Sequence, residues 1–238
     1  MKSSKILSAM VVFIFLSVSL MAQTAEEIVS KHVEAVGGKE NWKKVTSMRM
    51  EATLNTQGID VPIVITQIHN KARRTEFTAM NQTGYTIVTT EGGWTYNPFT
   101  GMTAPEALTP EQLKSEQDQL DVQGELIDYK EKGHQIELAG SDSINGRLCH
   151  KIKLTRKSGT SQVLYIESGS WNIVRVTGKA FVNGQETEAT ANFGNFLKLP
   201  EGIVVPMSME NATAPAPITV TKVEVNPKVD ESIFKKPS

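Results

Sequence analysis

The sequence is poor in the residues that carry covalent and metal chemistry. Cys149 is the only cysteine in 238 residues. No intrachain disulfide can form, so stability has to come from a buried core and a hydrogen-bonded sheet. The four histidines, His32, His69, His134 and His150, are not spaced as metal ligands, and neither HExxH nor CxxC occurs. GxSxG, the P-loop and GxGxxG are missing from any strand–turn–helix context. Cys149 and His150 are neighbours, but adjacent strand residues point to opposite faces and cannot act together as nucleophile and base. His32, beside the apolar stripe of a helix, reads as structural, and Asp142, Glu167 and Glu188 are scattered. The expectation is a protein that is not an enzyme and uses neither metal nor cofactor. An excess of one charge is missing too. Lys and Arg number 25 against 26 Asp and Glu, with no like-charged block, which argues against nucleic acid or an anionic membrane as partner.

Only one long apolar run exists. Lys2 and Lys5 precede "ILSAMVVFIFLSVSLMA", the layout of a secretory signal peptide cut after Ala22. The run is short for a spanning helix and no stop-transfer charges follow. No cysteine lies near the cut, so no lipid anchor is expected. Residues 1–22 are therefore read as a signal peptide and 23–238 as one exported, periplasmic domain.

That domain opens with a helix. Thr24 and Glu27 form a capping box before Ile28, Val29, Val33 and Val36 at helical spacing, and Gly37-Gly38 stops it. "KENWKKV" adds a turn anchored by Trp42. After Val45 the period changes from 3.6 to 2. Met48, Met50, Ala52 and Leu54 alternate with polar residues, and short alternating segments recur to "PITVTKVEV". Asn145-Gly146, Ser158-Gly159, Ser168-Gly169 and Asn183-Gly184 mark the turns between them. Roughly eleven antiparallel strands are expected. One polar helix interrupts them, "LTPEQLKSEQDQL". Thr109 is its N-cap, Pro110 its first residue and Gln112 closes the capping box, with Leu108 and Leu113 placed for a hydrophobic staple. Too polar for a core, it should lie over an edge or an opening.

So the fold class is mainly β (α+β). A long sheet with one apolar face per strand and two candidate helices is expected to curl strongly around them. The mature methionines include Met48/Met50 and Met207/Met209, i,i+2 pairs facing one way on their strands. Flexible thioethers fill core gaps, and they also suit surfaces that take variable apolar ligands. "EGGWTYNPFTGM" packs Trp94, Tyr96 and Phe99 beside turn residues. Two placements are open: a hairpin tip packed on the core, or the mouth of a binding site.

The same "EGGWTYNPFTGMTA" resembles a strand-and-turn segment of the LolA family of periplasmic lipoprotein carriers. The tail "VEVNPKVDESIFKKP" is similar to that family's ending. "VEAVGGKENWKKV" and "GSDSINGRLCHKIKL" look like the broader set of outer membrane lipoprotein-sorting-like proteins. The resemblance implies a half-open β-barrel with a helical lid on its concave face. It puts Trp94, Tyr96 and Phe99 at the mouth, and in "NKARRTEF" it makes Arg73, or else Arg74, the latch of the lid. The expected lining of the cavity is Met48, Met50, Leu54, Ile63, Ile65, Phe77, Met207 and Met209. The function expected is a carrier for an acyl lipid or lipidated protein, served by a membrane-anchored donor or acceptor. The alternative is a sensor or adaptor that reports occupancy to a protein partner without transport.

Overall fold

The computed structural model describes residues 23–56, 58–182, 185–211 and 216–237. The apolar leader 1–22 and the Asn183-Gly184 pair lie outside them. Helix α1, Ala25–Ala35, starts at the expected capping box, with Thr24 Oγ1 accepting from Glu27 N–H and the Glu27 carboxylate accepting from Thr24 N–H. Gly37, at φ 111°, ends it where a Cβ would strike the backbone of Gly202, so only glycine fits. The short helix α2, Lys39–Trp42, buries Trp42, whose indole N–H donates to Val36 O at 2.9 Å.

Strands β1 Ser47–Thr56, β2 Ile59–Ile68, β3 Ala72–Ala79, β4 Gln82–Thr89, β5 Gly93–Tyr96 and β6 Glu106–Ala107 come next. Helix α3, Pro110–Gln117, then leads into β7 Gln135–Ile144, β8 Arg147–Thr155, β9 Ser161–Glu167, β10 Ile173–Val182, β11 Gln185–Lys198, β12 Val204–Asn211 and β13 Ile218–Val225. Two 3-10 turns complete the elements, Pro98–Thr100 after β5 and Glu231–Phe234 after β13. The two-residue β6 has no alternation to announce it. It brings the sheet to 13 strands, more than the alternating pattern suggested.

All pairings are antiparallel, and the order is β6-β5-β4-β3-β2-β1-β13-β12-β11-β10-β9-β8-β7. The chain enters mid-sheet at β1 and meanders out to one edge. It crosses through α3 to the far edge and meanders back until β13 pairs with β1. β6 and β7 do not pair with each other, so the sheet is open and not a closed barrel. Asn145 and Gly146, at φ 51° and 77°, form the two-residue turn expected of Asn-Gly. At the β9–β10 turn the positive φ falls on Trp171, at 59°, and not on Gly169.

Directly opposed residues of an antiparallel pair share a face. One face carries the helices. There Ile28 and Val29 of α1 pack on Ile152, Leu154, Leu164 and Ile166. Trp42 and Val45 meet Met48, Ile203 and Val205 on the same face. On the opposite face a smaller cluster joins Ala72 and Ile87 to Phe234 of the C-terminal segment.

Candidate ligand-binding face and its lid

Register lines up an apolar row across the helix-bearing face. Phe77 on β3 opposes Ile63 on β2, which opposes Ala52 on β1, which opposes Val220 on β13. One pair further on, Leu54 opposes Ile218, Ile218 opposes Met209, and Met209 opposes Phe193 on β11. Met50 and Ile65 pair beside the row, and Met207 shares the face of Met209. Ala52 is buried, and the other row members, with Met50, Ile65 and Met207, are half-buried. An ordinary core would cover them. Met48 differs: it is 6% exposed and packs in the core with Trp42 and Val45.

The row runs toward an apolar cavity of about 290 Å³ between α1, α2, residues 123–127 and strands β9–β12. Leu164, Val176, Phe193, Val205 and Trp42 are among its walls. His32 also lines it, and its Nδ1–H donates to Trp171 O at 2.8 Å. Burial pushes the His32 imidazole below its ordinary pKa, and the bond to the carbonyl opposes this only in part. Glu125, at the cavity edge, is gripped by Arg156 and by Gln162.

Helix α3 closes over part of this face and buries none of its own residues. Thr109 and Gln112 cap it reciprocally, as the sequence implies. Leu108 and Leu113 lie over Gly93, where a Cβ would come within 2.6 Å and 3.1 Å of their methyl groups. The far end is held by polar contacts. Gln117 Nε2 donates to Thr89 O at 2.9 Å, and Gln67 Nε2 to Gln119 O at 2.6 Å. Arg73 Nη1 donates to Gln119 Oε1 at 2.6 Å and lies 3.5 Å from Glu116. From the other side, Asp118 Oδ2 accepts from Ser158 Oγ at 3.1 Å and Thr160 Oγ1 at 2.5 Å.

The structure divides residues that the sequence grouped together. Arg73 faces α3 and the residues after it. Arg74, one residue on, faces the other way, donates to Ile233 O at 3.0 Å and stacks over Tyr85. Trp94 and Tyr96 are also on the opposite face, paired with Ile87 and Tyr85, and Trp94 packs with the C-terminal segment. This corrects the expectation that they share a mouth with Phe99: a five-residue shift along a strand and its turn changes the face. Phe99 alone reaches the row, its ring 6.0 Å from Phe77. Cys149 is fully buried and its thiol is pushed up by burial, while His150 stacks on Trp171 at 5.7 Å. Among the described residues no group of three or more His, Cys, Asp or Glu could hold a metal ion. Sequence reading missed Phe193, Val176 and Leu164. Their alternation marked an inward face, but nothing local says which helix meets it.

No protein-family model matches the sequence, and no curated protein matches it. Solved structures do. A LolA superfamily protein from Nitrosomonas europaea is 15% identical over 90% of this chain and 99% of its own, with a TM-score of 0.55. An outer membrane lipoprotein-sorting protein domain from Vibrio parahaemolyticus is 13% identical over 87% of this chain and 94% of its own, with a TM-score of 0.51. The chain has a LolA-like fold.

Proposed function

We propose that this is a periplasmic carrier that holds an acyl lipid, or the acyl chains of a lipidated protein, against the apolar row of its helix-bearing face. The half-buried row from Phe77 to Phe193 carries this reading, because contiguous apolar surface left uncovered beside a cavity is what a greasy ligand needs. Each buried CH₂ is worth about 0.8 kcal/mol, so a chain of about fourteen carbons supplies on the order of 10 kcal/mol before ordering costs.

The face would be the concave side of a strongly curled sheet, a half-open barrel. Glu116 and Asp118 are two residues apart, yet they reach Arg73 on β3 and the Ser158–Thr160 turn before β9. Those strands are seven steps apart in the sheet. In a flat sheet that is about 34 Å, beyond the reach of so short a segment. In this reading α3 is a lid, Arg73 its latch, and Met50, Leu54, Ile63, Ile65, Phe77, Phe99, Met207 and Met209 the ligand wall. No step requires a catalytic group. The lipoprotein-sorting name of one similar structure supports a lipidated protein as cargo. A membrane-anchored donor or acceptor would then complete the transfer.

A sensor or adaptor is the second reading. Tyr85, Tyr96 and Arg74 form a half-buried aromatic–cation cluster on the opposite face, suited to a protein partner. A protein that co-purifies through that face would favour it.

Displacement of a hydrophobic dye by fatty acids and acylated peptides tests the carrier. Saturable displacement is expected. Met50→Asp and Met207→Asp should each weaken it at least about ten-fold while circular dichroism stays native, since each puts a carboxylate on an apolar wall. A folded protein that binds no acyl ligand ends both the carrier and the lipid-sensor readings.

A further inference from the structure

One end of the sheet presents large apolar side chains to water. Met80, in the β3–β4 turn, is 82% exposed, Ile59 at the β1–β2 turn 52%, and Phe99 after β5 43%. In a meander these turns all fall at the same end. Met80 is anomalous twice over. Its backbone is left-handed, at φ 49°, followed by Asn81 at 60°. A β-turn there favours Gly, Asn or Asp, because a Cβ crowds the carbonyl and methionine has no compensating side-chain bond. Neither stability nor solubility explains a strained, exposed methionine.

The tips join the apolar row. Ile59, Val61, Ile63 and Ile65 alternate inward along β2 on the helix-bearing face, and Phe99 rests on Phe77. The surroundings of the tips are almost uncharged. Residues 55–60, 79–83 and 97–102 contain one charged side chain, Asp60, and Asn55 Nδ2 donates to it at 2.6 Å. Asn, Gln and Thr fill the remaining polar positions.

We propose that Ile59, Met80 and Phe99 form a docking rim that enters the interface of a neutral, zwitterionic bilayer, so that an acyl chain passes from membrane to row without crossing water. This rests on the carrier reading. Apolar residues projecting singly from separate turns suit a fluid surface that moulds to them. A protein partner would need shaped pockets and paired polar groups. With no cation on the tips, anionic lipid gives no advantage.

Vesicle flotation tests this, with protein purified after export and its N-terminus checked by intact mass. The protein should float with phosphatidylcholine vesicles, equally with and without added phosphatidylglycerol, and in high salt. Met80→Gly should lower the partition constant about ten-fold. Its urea midpoint should hold or rise, because glycine accepts the left-handed backbone. Ile59→Ser should also weaken flotation. Acyl-ligand displacement of dye should be unchanged in Met80→Gly, whose side chain lies outside the row. The proposal is overturned by no flotation, by flotation that needs phosphatidylglycerol and vanishes in salt, or by flotation unchanged in both variants. It is equally overturned if the tips instead prove to bind a protein while vesicles are ignored. Absence of dye displacement in the wild type would strike the carrier reading separately.

Discussion

Arg73 and Arg74 differ by one position and serve opposite faces, one bound to Gln119 just after α3 and one to the C-terminal segment. The strand period alone separates them; identity does not. His32 illustrates how a fold gives a residue a pH response. Burial holds its folded pKa below the ordinary value of 6.5, so the unfolded chain binds the proton more readily. The stability this contributes is present above about pH 6.5 and is lost as pH falls through that value toward the lowered one. His69, His134 and His150 shift the same way through desolvation. The urea midpoint should therefore fall between about pH 7.5 and 5.5, well above the carboxylate range. His32→Phe should cost about 1 kcal/mol at neutral pH through the lost bond to Trp171 O, and should flatten that fall. A slope identical to wild type would mean that His32 titrates normally in the folded protein.

At the scale of elements, the carrier reading makes α3 the segment that moves. With its flanks it offers only Leu108, Leu113, Leu120 and Val122 for apolar burial, and its other ties are the Arg73–Glu116 ion pair and single hydrogen bonds of about 0.5–1.5 kcal/mol each, two of them backbone bonds at Leu108 and Leu120. The N–H groups of residues 111–117 in α3 should exchange much faster than those of Arg147–Thr155, and a bound acyl chain should alter their rate. Arg73→Leu should speed lid exchange and ligand release while leaving the melting temperature nearly unchanged. A lid as protected as β8 in the empty protein, and indifferent to ligand, would make it ordinary structure. The element itself was readable beforehand. Thr109, Pro110 and Gln112 specify its start through bonds within four residues. Its anchors were not, because Thr89, Gln67 and Ser158 come from three distant hairpins.

For the whole molecule, the expected destination is outside the cytoplasm. Lys2, Lys5 and the apolar run to Ala22 should be removed on export, and intact mass of the exported protein should correspond to a chain beginning near Gln23. A mass that retains residues 1–22 would replace the free carrier with a tethered one.

The sequence alone determined the features that close over short distances. Both capping boxes, the Gly37 stop, the Asn145-Gly146 turn and the alternation of most strands arise from contacts between near neighbours, which the chain writes in order. It also marked Met50, Met207 and Met209 as inward-facing. Tertiary structure decided what those faces meet. The pairing of β13 with β1 joins Leu54 to Ile218, Met209 and Phe193, although these residues span from position 54 to 218. The β5 register sends Trp94 and Tyr96 to the opposite face, while the turn after it returns Phe99 to the row. A period of 2 tells which residues share a side of a strand, but which side is covered, and by what, depends on which strands become neighbours.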